Sequence, residues 1–298
     1  MSELNSFAIS FSHHESRTRA RLRPLFIYNI ILFILKVVVI TGGTKGIGYG
    51  LAEAFLARGC SVVICSRSIH SVEAALETLQ EKYTSGRVIG MACDVANYES
   101  VMALWNLATE SYGKVHIWIN NAGQSHPRKS IWQQTPERLR SVVDTNLLGA
   151  MNGSSVAIRG MMEQGFGNLY NMLGLGSNGM KVKGYGLYSS TKYAMRYFTE
   201  TLIKDMAKTN VQVGTILPGM VLTDLLVGND TEDPEQIKKL KWIFRVLADK
   251  VETVTPWIAD QLLLNNNTNG SQISWLTKQK IFFRFLTAPF RKRNLDIN

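Results

Sequence analysis

Tyr188 and Lys192, four residues apart, are the side chains in this sequence best spaced for acid–base chemistry. They begin the segment YSSTKYAMRYFTETLIKDMA, whose helical spacing puts both on one face of a helix. An ammonium group beside a phenol lowers the phenol's pKa from about 10 toward working pH. The pair therefore predicts a general acid for a carbonyl oxygen, and no other tyrosine of the sequence has a lysine at this spacing.

A second group of residues, TGGTKGIGYG at positions 41–50, has the composition of a phosphate-binding loop. It joins the apolar run VVVI to a helical segment that begins near Ile47. A helix N-terminus offers free N–H groups, and glycines let a pyrophosphate approach the backbone. The spacing is G-x3-G-x-G, not G-x-G-x-x-G, but the preceding strand and following helix are both present. The predicted contacts are Gly42, Thr44, Lys45, Gly46, Ile47 and Gly48.

The end of the second apolar run distinguishes NAD from NADP. An acidic residue there would bond to the ribose 2′-hydroxyl, whereas a cation accommodates a 2′-phosphate. The sequence has Ser66 and Arg67 at this point and no acid, and Lys45 adds a positive charge nearby. We therefore predict NADP(H) as the cofactor, with Ser66 and Arg67 beside its 2′-phosphate.

Strands and helices that alternate along the chain must position these groups. Apolar runs rich in β-branched residues alternate with helical segments; the runs are residues 37–40, 61–66, 87–92, 115–120, 168–172 and 211–217. The longest helical segment runs from Pro136 to Gln164, and Thr135 is placed to start it. Repeated strand–helix–strand order predicts a single Rossmann-type, doubly wound parallel sheet with helices on both faces, over residues 36–275. NNNTNG at 265–270 predicts a polar turn before a last strand.

These motifs, in this order, resemble the short-chain dehydrogenase/reductase family over roughly residues 36–275. TGGTKGIG is similar to the family's TGxxxGIG, and Tyr188 and Lys192 to its tyrosine–lysine pair. The resemblance implies that Asn146, in DTNLLG, is a catalytic asparagine that helps order the lysine and a water. It also implies further cofactor contacts: Asp94 and Val95 at the adenine, Asn121, Ala122 and Gly123 at the nicotinamide side, and Pro218, Gly219 and Thr223 closing over the nicotinamide.

One position departs from the family pattern. The substrate-orienting serine of the family usually lies thirteen residues before the tyrosine, where this sequence has Leu175. The nearest serine is Ser177, eleven residues before Tyr188. Either the loop is shaped so that Ser177 takes the role, or a backbone N–H or a water replaces it. Ser177 joins Tyr188, Lys192 and Asn146 as the candidate catalytic residues.

Several local segments resemble one branch of the family, the reductases of the 7-formyl group of chlorophyll b. They are NMLGLGSNG, the YSSTK helix, PGMVLTDLL, CDV, IWINNAG and the final ISWLT. This resemblance implies hydride transfer from NADPH to the formyl carbon, protonation of the oxygen by Tyr188, and a plastid or thylakoid location. The alternatives are another lipophilic carbonyl (steroid, retinoid or ketolipid), because no pattern in residues 174–187 and 224–256 identifies a substrate, or a catalytically silent NADPH-binding protein.

The formal net charge of +10 is concentrated at the two ends of the chain. Residues 1–36 carry five basic and two acidic residues, and residues 273–298 carry six and one. Basic ends rich in phenylalanine, leucine and isoleucine fit an anionic membrane surface, and no nucleic-acid-reading motif accompanies them. We therefore expect a hydrophobic small-molecule substrate, peripheral membrane contact through a basic, aromatic tail at 276–298, and no nucleic-acid partner.

The N-terminal extension, residues 1–35, contains the apolar run LFIYNIILFIL, which is shorter than the roughly 20 residues of a spanning helix. It fits an interfacial anchor, an apolar element packed on the body, a transit peptide, or a stretch absent from the mature protein. The three cysteines form no CxxC pair, which favours an intracellular, reducing location and predicts no metal site. Membership of the family implies a homo-oligomer formed through segments 98–112 and 136–165.

Overall fold

The structure is a computed structural model that describes residues 36–83, 86–223, 234–264 and 268–290. The predicted N-terminal extension, the end of the predicted tail and part of the predicted polar turn lie outside the described residues. The predicted domain boundaries at 35 and 275 stay predictions.

Seven parallel strands form one sheet in the order β3-β2-β1-β4-β5-β6-β7. The strands are β1 Val37–Thr41, β2 Ser61–Ser66, β3 Val88–Ala92, β4 Ile117–Asn120, β5 Gly167–Met172, β6 Val211–Leu217 and β7 Gln272–Ser274. All six predicted apolar runs are strands, and β7 is the predicted last strand. The predicted α/β class and parallel sheet are therefore confirmed.

Helices connect these strands. They are α1 Gly46–Leu56, α2 Ile69–Lys82, α3 Tyr98–Tyr112, α4 Pro136–Val143, α5 Gly149–Gln164, α6 Gly186–Asp205, α7 Pro234–Leu247, α8 Val251–Leu264 and α9 Lys278–Thr287. Short 3₁₀ turns lie at Ile131–Gln133 and Ala288–Phe290. As predicted, Thr135 caps α4, its hydroxyl accepting a hydrogen bond from the Arg138 N–H.

Alternating side chains of the central strands fill two apolar cores, one on each face of the sheet. Val38 and Ile40 of β1 belong to the core built with α1, α2 and α8. Val39 between them belongs to the core built with α3 and α5. Because successive strand residues point to opposite faces, a run that is apolar at every position must be covered on both sides. This explains why the VVVI run indicated a fully buried parallel strand.

The predicted helical segment from Pro136 to Gln164 is interrupted at a point that no sequence pattern indicated. A π-helical turn, Asp144–Leu148, joins α4 to α5, and the Gly149 N–H donates to the Asp144 carbonyl. Such turns insert one extra residue into a helix and occur frequently at functional sites. Asn146 lies within this turn and is fully buried, so the irregular backbone positions a predicted site residue.

The sheet order places a crevice at the carboxyl ends of β1 and β4. From β1 the chain proceeds outward to β2 and β3 and then returns to form β4 on the other side of β1. In open α/β sheets a ligand crevice forms at this reversal of strand order. The glycine loop follows β1 and the Asn121 segment follows β4, so both predicted cofactor motifs border the crevice.

Candidate active site

One cleft runs across the carboxyl edge of the sheet. Its volume is about 2140 Å³, including the open solvent space at its mouth. Eighteen of the predicted site residues line it: Gly42, Thr44, Lys45, Gly46, Ile47, Gly48, Ser66, Arg67, Val95, Asn121, Ala122, Gly123, Ser177, Tyr188, Lys192, Pro218, Gly219 and Thr223. Asp94 and Asn146 do not line the cleft. The fold thus brings seven separate segments of the chain to one surface.

The glycine loop folds back against the start of α1. Gly42 and Gly46 have positive φ angles of 65° and 55°, in the left-handed region that favours glycine. A side chain at Gly48 would lie 2.1 Å from the Gly42 carbonyl oxygen, so this contact excludes every other residue. No side chain caps the first turn of α1, whose N-cap is Lys45. The amides of that turn can therefore donate to an anion, which fits the phosphates of a dinucleotide.

The strand end of β4 is tied to the glycine loop by a set of short hydrogen bonds. The Asn121 side-chain amide donates to the carbonyls of Thr41 and Gly42, at 2.9 and 3.0 Å. The Thr41 hydroxyl accepts from the backbone N–H groups of Asn121 and Ala122, at 3.0 and 3.1 Å. These bonds fix the floor of the cleft at the reversal of strand order.

At the end of β2 the cleft is lined by Ser66 and the exposed Arg67. Asp94, predicted nearby, is an exposed residue whose carboxylate accepts from the Ala96 N–H at 3.0 Å. Its neighbours Cys93 and Val95 line the cleft instead. A positive side chain and a hydroxyl therefore border this end of the cleft, where an acid would have indicated NAD.

Tyr188 and Lys192 lie on the first two turns of α6, and both side chains are buried against the cleft. The Lys192 Nζ donates to the Met172 carbonyl oxygen at 2.9 Å and lies 5.8 Å from the centroid of the Tyr188 ring. A methyl group at Gly174 would lie 2.4 Å from the Tyr188 Oη, so the phenol packs closely on the loop after β5. The predicted pair is therefore assembled on one helix face.

The predicted lowering of the phenol's pKa is wrong for the cofactor-free site. Burial, with a smaller contribution from Tyr185, raises the pKa of Tyr188. Burial also lowers the pKa of Lys192 to about 8. The sequence argument counted the attraction between ammonium and phenolate but not the cost of desolvating both groups. The phenol consequently keeps its proton at neutral pH.

Asn146 supports α6 from behind the cleft. Its Nδ2 donates to the Gln124 carbonyl at 2.9 Å and to the Thr191 hydroxyl at 3.1 Å, and its Oδ1 accepts from the Gln124 N–H at 2.7 Å. The Thr191 hydroxyl in turn donates to the Tyr188 carbonyl at 2.7 Å. A side chain on Gly123 would lie 3.5 Å from Asn146 Oδ1 and 3.8 Å from Lys192 Nζ, so these two groups are near neighbours.

A buried histidine that the sequence analysis missed supports the same helix turn. His126 Nε2 accepts from the Tyr188 N–H at 3.1 Å, and its Nδ1 lies 2.8 Å from the Pro127 carbonyl. The Tyr185 ring lies between them, 5.8 Å from the His126 ring and 6.5 Å from the Tyr188 ring. No local motif marks His126, since its partner is 62 residues away in the chain.

Ser177 lies in the glycine-rich loop after β5, is almost fully buried, and lines the cleft. Its backbone N–H donates to the Gly174 carbonyl at 3.1 Å, which makes a tight turn. Leu175, at the family's usual serine position, lines the same cleft but carries no hydroxyl. The loop therefore brings the displaced serine to the cleft wall.

The far end of the cleft is largely apolar and draws on residues that no motif indicated. Met172, Met180 and Met220 line it, whereas the large apolar residues Trp242, Phe244 and Trp257 do not. Additional lining residues are Leu173, Leu217, Leu247, Leu276 and Ile281, with Gln124, Ser125, Thr145, Asn178 and Tyr185 as the polar members. Only Gln124 and Ser125 could have been inferred, because they directly follow the asparagine motif after β4.

Among the described residues, no helix combines the length and the apolar character needed to cross a bilayer.

Known proteins similar to this chain include chloroplast reductases. The family model described as short chain dehydrogenase matches residues 36–234. Over 271 residues the chain is 33% identical to a protein of Arabidopsis thaliana named as a probable chloroplastic chlorophyll(ide) b reductase, covering 86% of this chain and 53% of that protein. It is 34% identical to the chloroplastic chlorophyll(ide) b reductase NOL of Oryza sativa subsp. japonica, covering 84% of this chain and 74% of that one.

The chain thus spans about half the length of the Arabidopsis relative. Among solved structures, it is similar to a variant of actinorhodin polyketide ketoreductase with NADPH, at a TM-score of 0.71 and 24% identity, covering 82% of this chain and 96% of that one. A 3-ketoacyl-(acyl-carrier-protein) reductase from Brucella melitensis, complexed with NADH, gives 0.69 and 23%, covering 80% of this chain and 96% of that one. These structures support the fold. By the family match and these relatives, the chain belongs to the short-chain dehydrogenase family of oxidoreductases.

Proposed function

We propose that this chain is an NADPH-dependent carbonyl reductase whose substrate is a hydrophobic aldehyde, the 7-formyl group of chlorophyll b. The observation that carries the proposal is one continuous cleft, which joins an uncapped glycine loop at one end to the buried Tyr188–Lys192 pair and an apolar wall at the other. A dinucleotide and a carbonyl compound can meet only in a cleft with both halves.

The phosphate half of the cleft fits NADPH. The glycine loop and the first turn of α1 would hold the pyrophosphate, and Ser66, Arg67 and Lys45 would surround the 2′-phosphate. Bound NADPH would supply the hydride for the carbonyl carbon. Arginine matches a phosphate with two parallel N–H donors, which is the physical reason for preferring NADPH to NADH at this strand end.

The Tyr188 phenol would give its proton to the carbonyl oxygen. Its raised pKa keeps the proton in place until negative charge develops on the substrate oxygen. The Lys192 ammonium, with a pKa of about 8 and its Nζ 5.8 Å from the centroid of the Tyr188 ring, would return a proton to the phenolate through an intervening water. Ser177 is the candidate hydrogen-bond donor for the carbonyl, while Asn146 and His126 position α6 through its backbone and Thr191.

The apolar half of the cleft supports a large hydrophobic substrate. Methionine, leucine and isoleucine side chains from four separate segments form its wall, so an extended apolar ring system has surfaces to pack against. The relatives named as chlorophyll(ide) b reductases favour a tetrapyrrole among such compounds. Their chloroplastic names also support a plastid location for this chain.

The test is NADPH oxidation by detergent-solubilised protein given chlorophyll b, with steroid, retinoid and ketolipid carbonyls in parallel. We expect the 7-hydroxymethyl pigment as product, and a loss of about 100-fold or more in kcat for Tyr188→Phe. Tyr197→Phe is the matched control, because Tyr197 is an exposed tyrosine of the same helix. It should retain the full rate.

Each other outcome removes a defined part of the proposal. Turnover of another carbonyl without turnover of pigment would keep the chemistry and remove the chlorophyll assignment. Equal turnover by the Tyr188→Phe protein would remove the acid role. Tight NADPH binding with no turnover of any carbonyl would favour the catalytically silent alternative, and a preference for NADH would remove the role of Arg67.

We also propose that α9 contacts a membrane surface. Phe282 and Phe290 are 64% and 90% exposed, Phe283 and Leu286 are similarly exposed, and Ile281 of the same helix lines the cleft. An exposed aromatic face beside the mouth would let a lipid-soluble substrate enter directly. Co-sedimentation with vesicles containing anionic lipid should fall at least fivefold for a Phe282→Ser, Phe283→Ser double variant. Trp132→Ser, an exposed aromatic (83%) outside α9, is the control.

A homo-oligomer formed through α3, α4 and α5 is a further part of the proposal. These helices leave Met102, Val143 and Met162 exposed, and burial of such side chains in a second copy would be favourable. Light scattering on the purified protein should give the mass of a dimer or tetramer, and a monomer at micromolar concentration would contradict it.

A further inference from the structure

A buried ion pair outside the cleft connects the C-terminal helix α9 to the segment that closes over the nicotinamide end. Arg284 of α9 and Asp249, which lies between α7 and α8, are 2.8 Å apart, with side chains only 8% and 4% exposed. The Asp249 Oδ2 also accepts from the Trp275 Nε1 at 2.7 Å. Arg284 donates a second bond, at 2.8 Å, to the carbonyl of Leu247. Every partner in this network is therefore held by at least one short bond.

Asp249 has a second attachment through its backbone. Its N–H donates to the Met220 carbonyl at 2.9 Å, and its carbonyl accepts from the Leu222 N–H at 2.9 Å. These two bonds bracket Val221 in an isolated parallel bridge. The position of Asp249 therefore fixes the position of Val221 and its neighbours, which belong to the predicted cofactor-covering segment 218–223.

The same segment packs on the glycine loop. A side chain built at Gly46 would lie 3.2 Å from the Thr223 Cγ2, so Thr223 lies directly over the phosphate half of the cleft. At its other end the segment packs on the chain before α9, where a side chain at Gly219 would lie 2.8 Å from the Leu276 Cβ. A shift of segment 218–223 would consequently change the walls of the cleft at both places.

We propose that Asp249 and Arg284 are positioning residues, which hold segment 218–223 in place for the cofactor by anchoring it to α9. Neither Asp249 nor Arg284 lines the cleft that contains the glycine loop and Tyr188. The pair acts through the backbone bridge to Val221. The effect of the ion pair on cofactor binding rests on the proposed NADPH function. Its effect on the position of segment 218–223 is independent of any ligand.

The structure explains why an ion pair serves here better than an apolar contact. A buried charge is unfavourable unless its partner is present in good geometry, so the pair is stable in one relative position of its two segments. Arg284 also fixes the orientation of α9 relative to this segment. One of its terminal nitrogens bonds to Asp249 while the other donates to the Leu247 carbonyl at the end of α7. Loss of the Asp249 side chain would remove the carboxylate from the buried Arg284 guanidinium, and loss of Arg284 would remove a positive charge from beside the buried Asp249 carboxylate.

The experiment compares Arg284→Met with Arg58→Met. Arg58 makes an ion pair too, with bonds of 2.6 and 2.8 Å to the two carboxylate oxygens of Asp260, but it joins α8 to the end of α1 and not to segment 218–223. Three quantities are measured: amide hydrogen exchange of Leu222 and Asp249 without cofactor, the Kd for NADPH, and the thermal midpoint. For Arg284→Met we expect exchange at these amides and the Kd to rise at least tenfold.

For Arg58→Met we expect a lower thermal midpoint with both other quantities within twofold of wild type. Arg284→Lys, which keeps the charge but not the planar pair of donors, should give intermediate exchange and Kd; it also serves if Arg284→Met does not fold. Unchanged exchange and Kd in the folded Arg284 variants would overturn the positioning role. A wild-type protein that does not bind NADPH would instead contradict the proposed function, and the exchange at Leu222 would still decide the role of the ion pair.

Discussion

Replacing Lys192 with methionine should reveal how much stability the fold loses by burying this amine. Lys192 is almost fully buried, and its Nζ donates to the Met172 carbonyl. Burial lowers its pKa from 10.5 to about 8. The unfolded chain therefore binds the proton more tightly than the folded protein between these two values. The free energy of unfolding must therefore rise with pH across that window. The stability present at high pH is lost as pH falls from the unfolded-state pKa of 10.5 through the folded-state pKa of about 8.

The lowered pKa of Lys192 reduces the free energy of unfolding by about 3 kcal/mol at pH 7 and by about 1 kcal/mol at pH 10. Methionine carries no charge and removes this loss. It also leaves the Met172 carbonyl without its lysine donor, which costs about 1–3 kcal/mol at every pH. We therefore expect K192M to be at least as stable as wild type at pH 7 and less stable at pH 10. The difference between the two proteins should change by about 2 kcal/mol over this range.

Urea unfolding of the cofactor-free proteins, followed by far-ultraviolet circular dichroism at pH 7, 8, 9 and 10, measures this change. The raised pKa of Tyr188 affects both proteins alike, so it cancels in the difference. Lys204→Met is the matched control, because Lys204 is an exposed lysine in the last turn of the same helix. Its effect should stay within about 0.5 kcal/mol at each pH.

A difference between K192M and wild type that stays constant from pH 7 to pH 10 would refute the reasoning. It would mean that the folded protein leaves the pKa of Lys192 at its ordinary value. The proton-returning role proposed for this amine, which depends on a pKa near neutrality, would then lose its physical basis.

Three further substitutions test the cofactor and substrate ends. Arg67→Asp should lower the NADPH-to-NADH ratio of kcat/KM at least tenfold, because a carboxylate repels a 2′-phosphate; an unchanged ratio would exclude Arg67 from recognition. Ser177→Ala should lower kcat about 100-fold with the NADPH Kd unchanged, and a full kcat would favour a backbone donor or a water. Gly174→Ala would place a methyl 2.4 Å from the Tyr188 Oη, so single-turnover rates should fall about tenfold while NADPH binding persists; an unaffected rate would contradict this packing.

The half of the cleft that contains the glycine loop could be predicted from the sequence because its determinants are local. The glycine loop lies within ten residues of β1, and the Asn121 segment directly follows β4. Both end up in the cleft because parallel strands bring their carboxyl ends to one edge. The strands themselves were recognisable for a similar reason, since a run buried on both faces is predominantly apolar.

The apolar half of the cleft could not be predicted because its determinants are distant in the chain. Leu276 and Ile281 reach the cleft only after β7 has paired with β6, and His126 reaches α6 across 62 residues. The raised pKa of Tyr188 has the same origin, since burial depends on the packing of the whole site. The π-helical turn at Asn146 was not predicted either, because the apolar spacing on its two sides was interpreted as one continuous helical segment.

The position of α9 shows how these two halves depend on each other. One side of this helix places Ile281 in the cleft wall, another buries Arg284 on Asp249, and a third exposes Phe282 and its aromatic neighbours. Because the Asp249 backbone brackets Val221, a displacement of α9 would move segment 218–223 at the wall of the cleft. Contact of the exposed face with a membrane would therefore act on the cofactor site through the same ion pair. Vesicles that bind α9 should then change the NADPH Kd of wild type but not that of Arg284→Met.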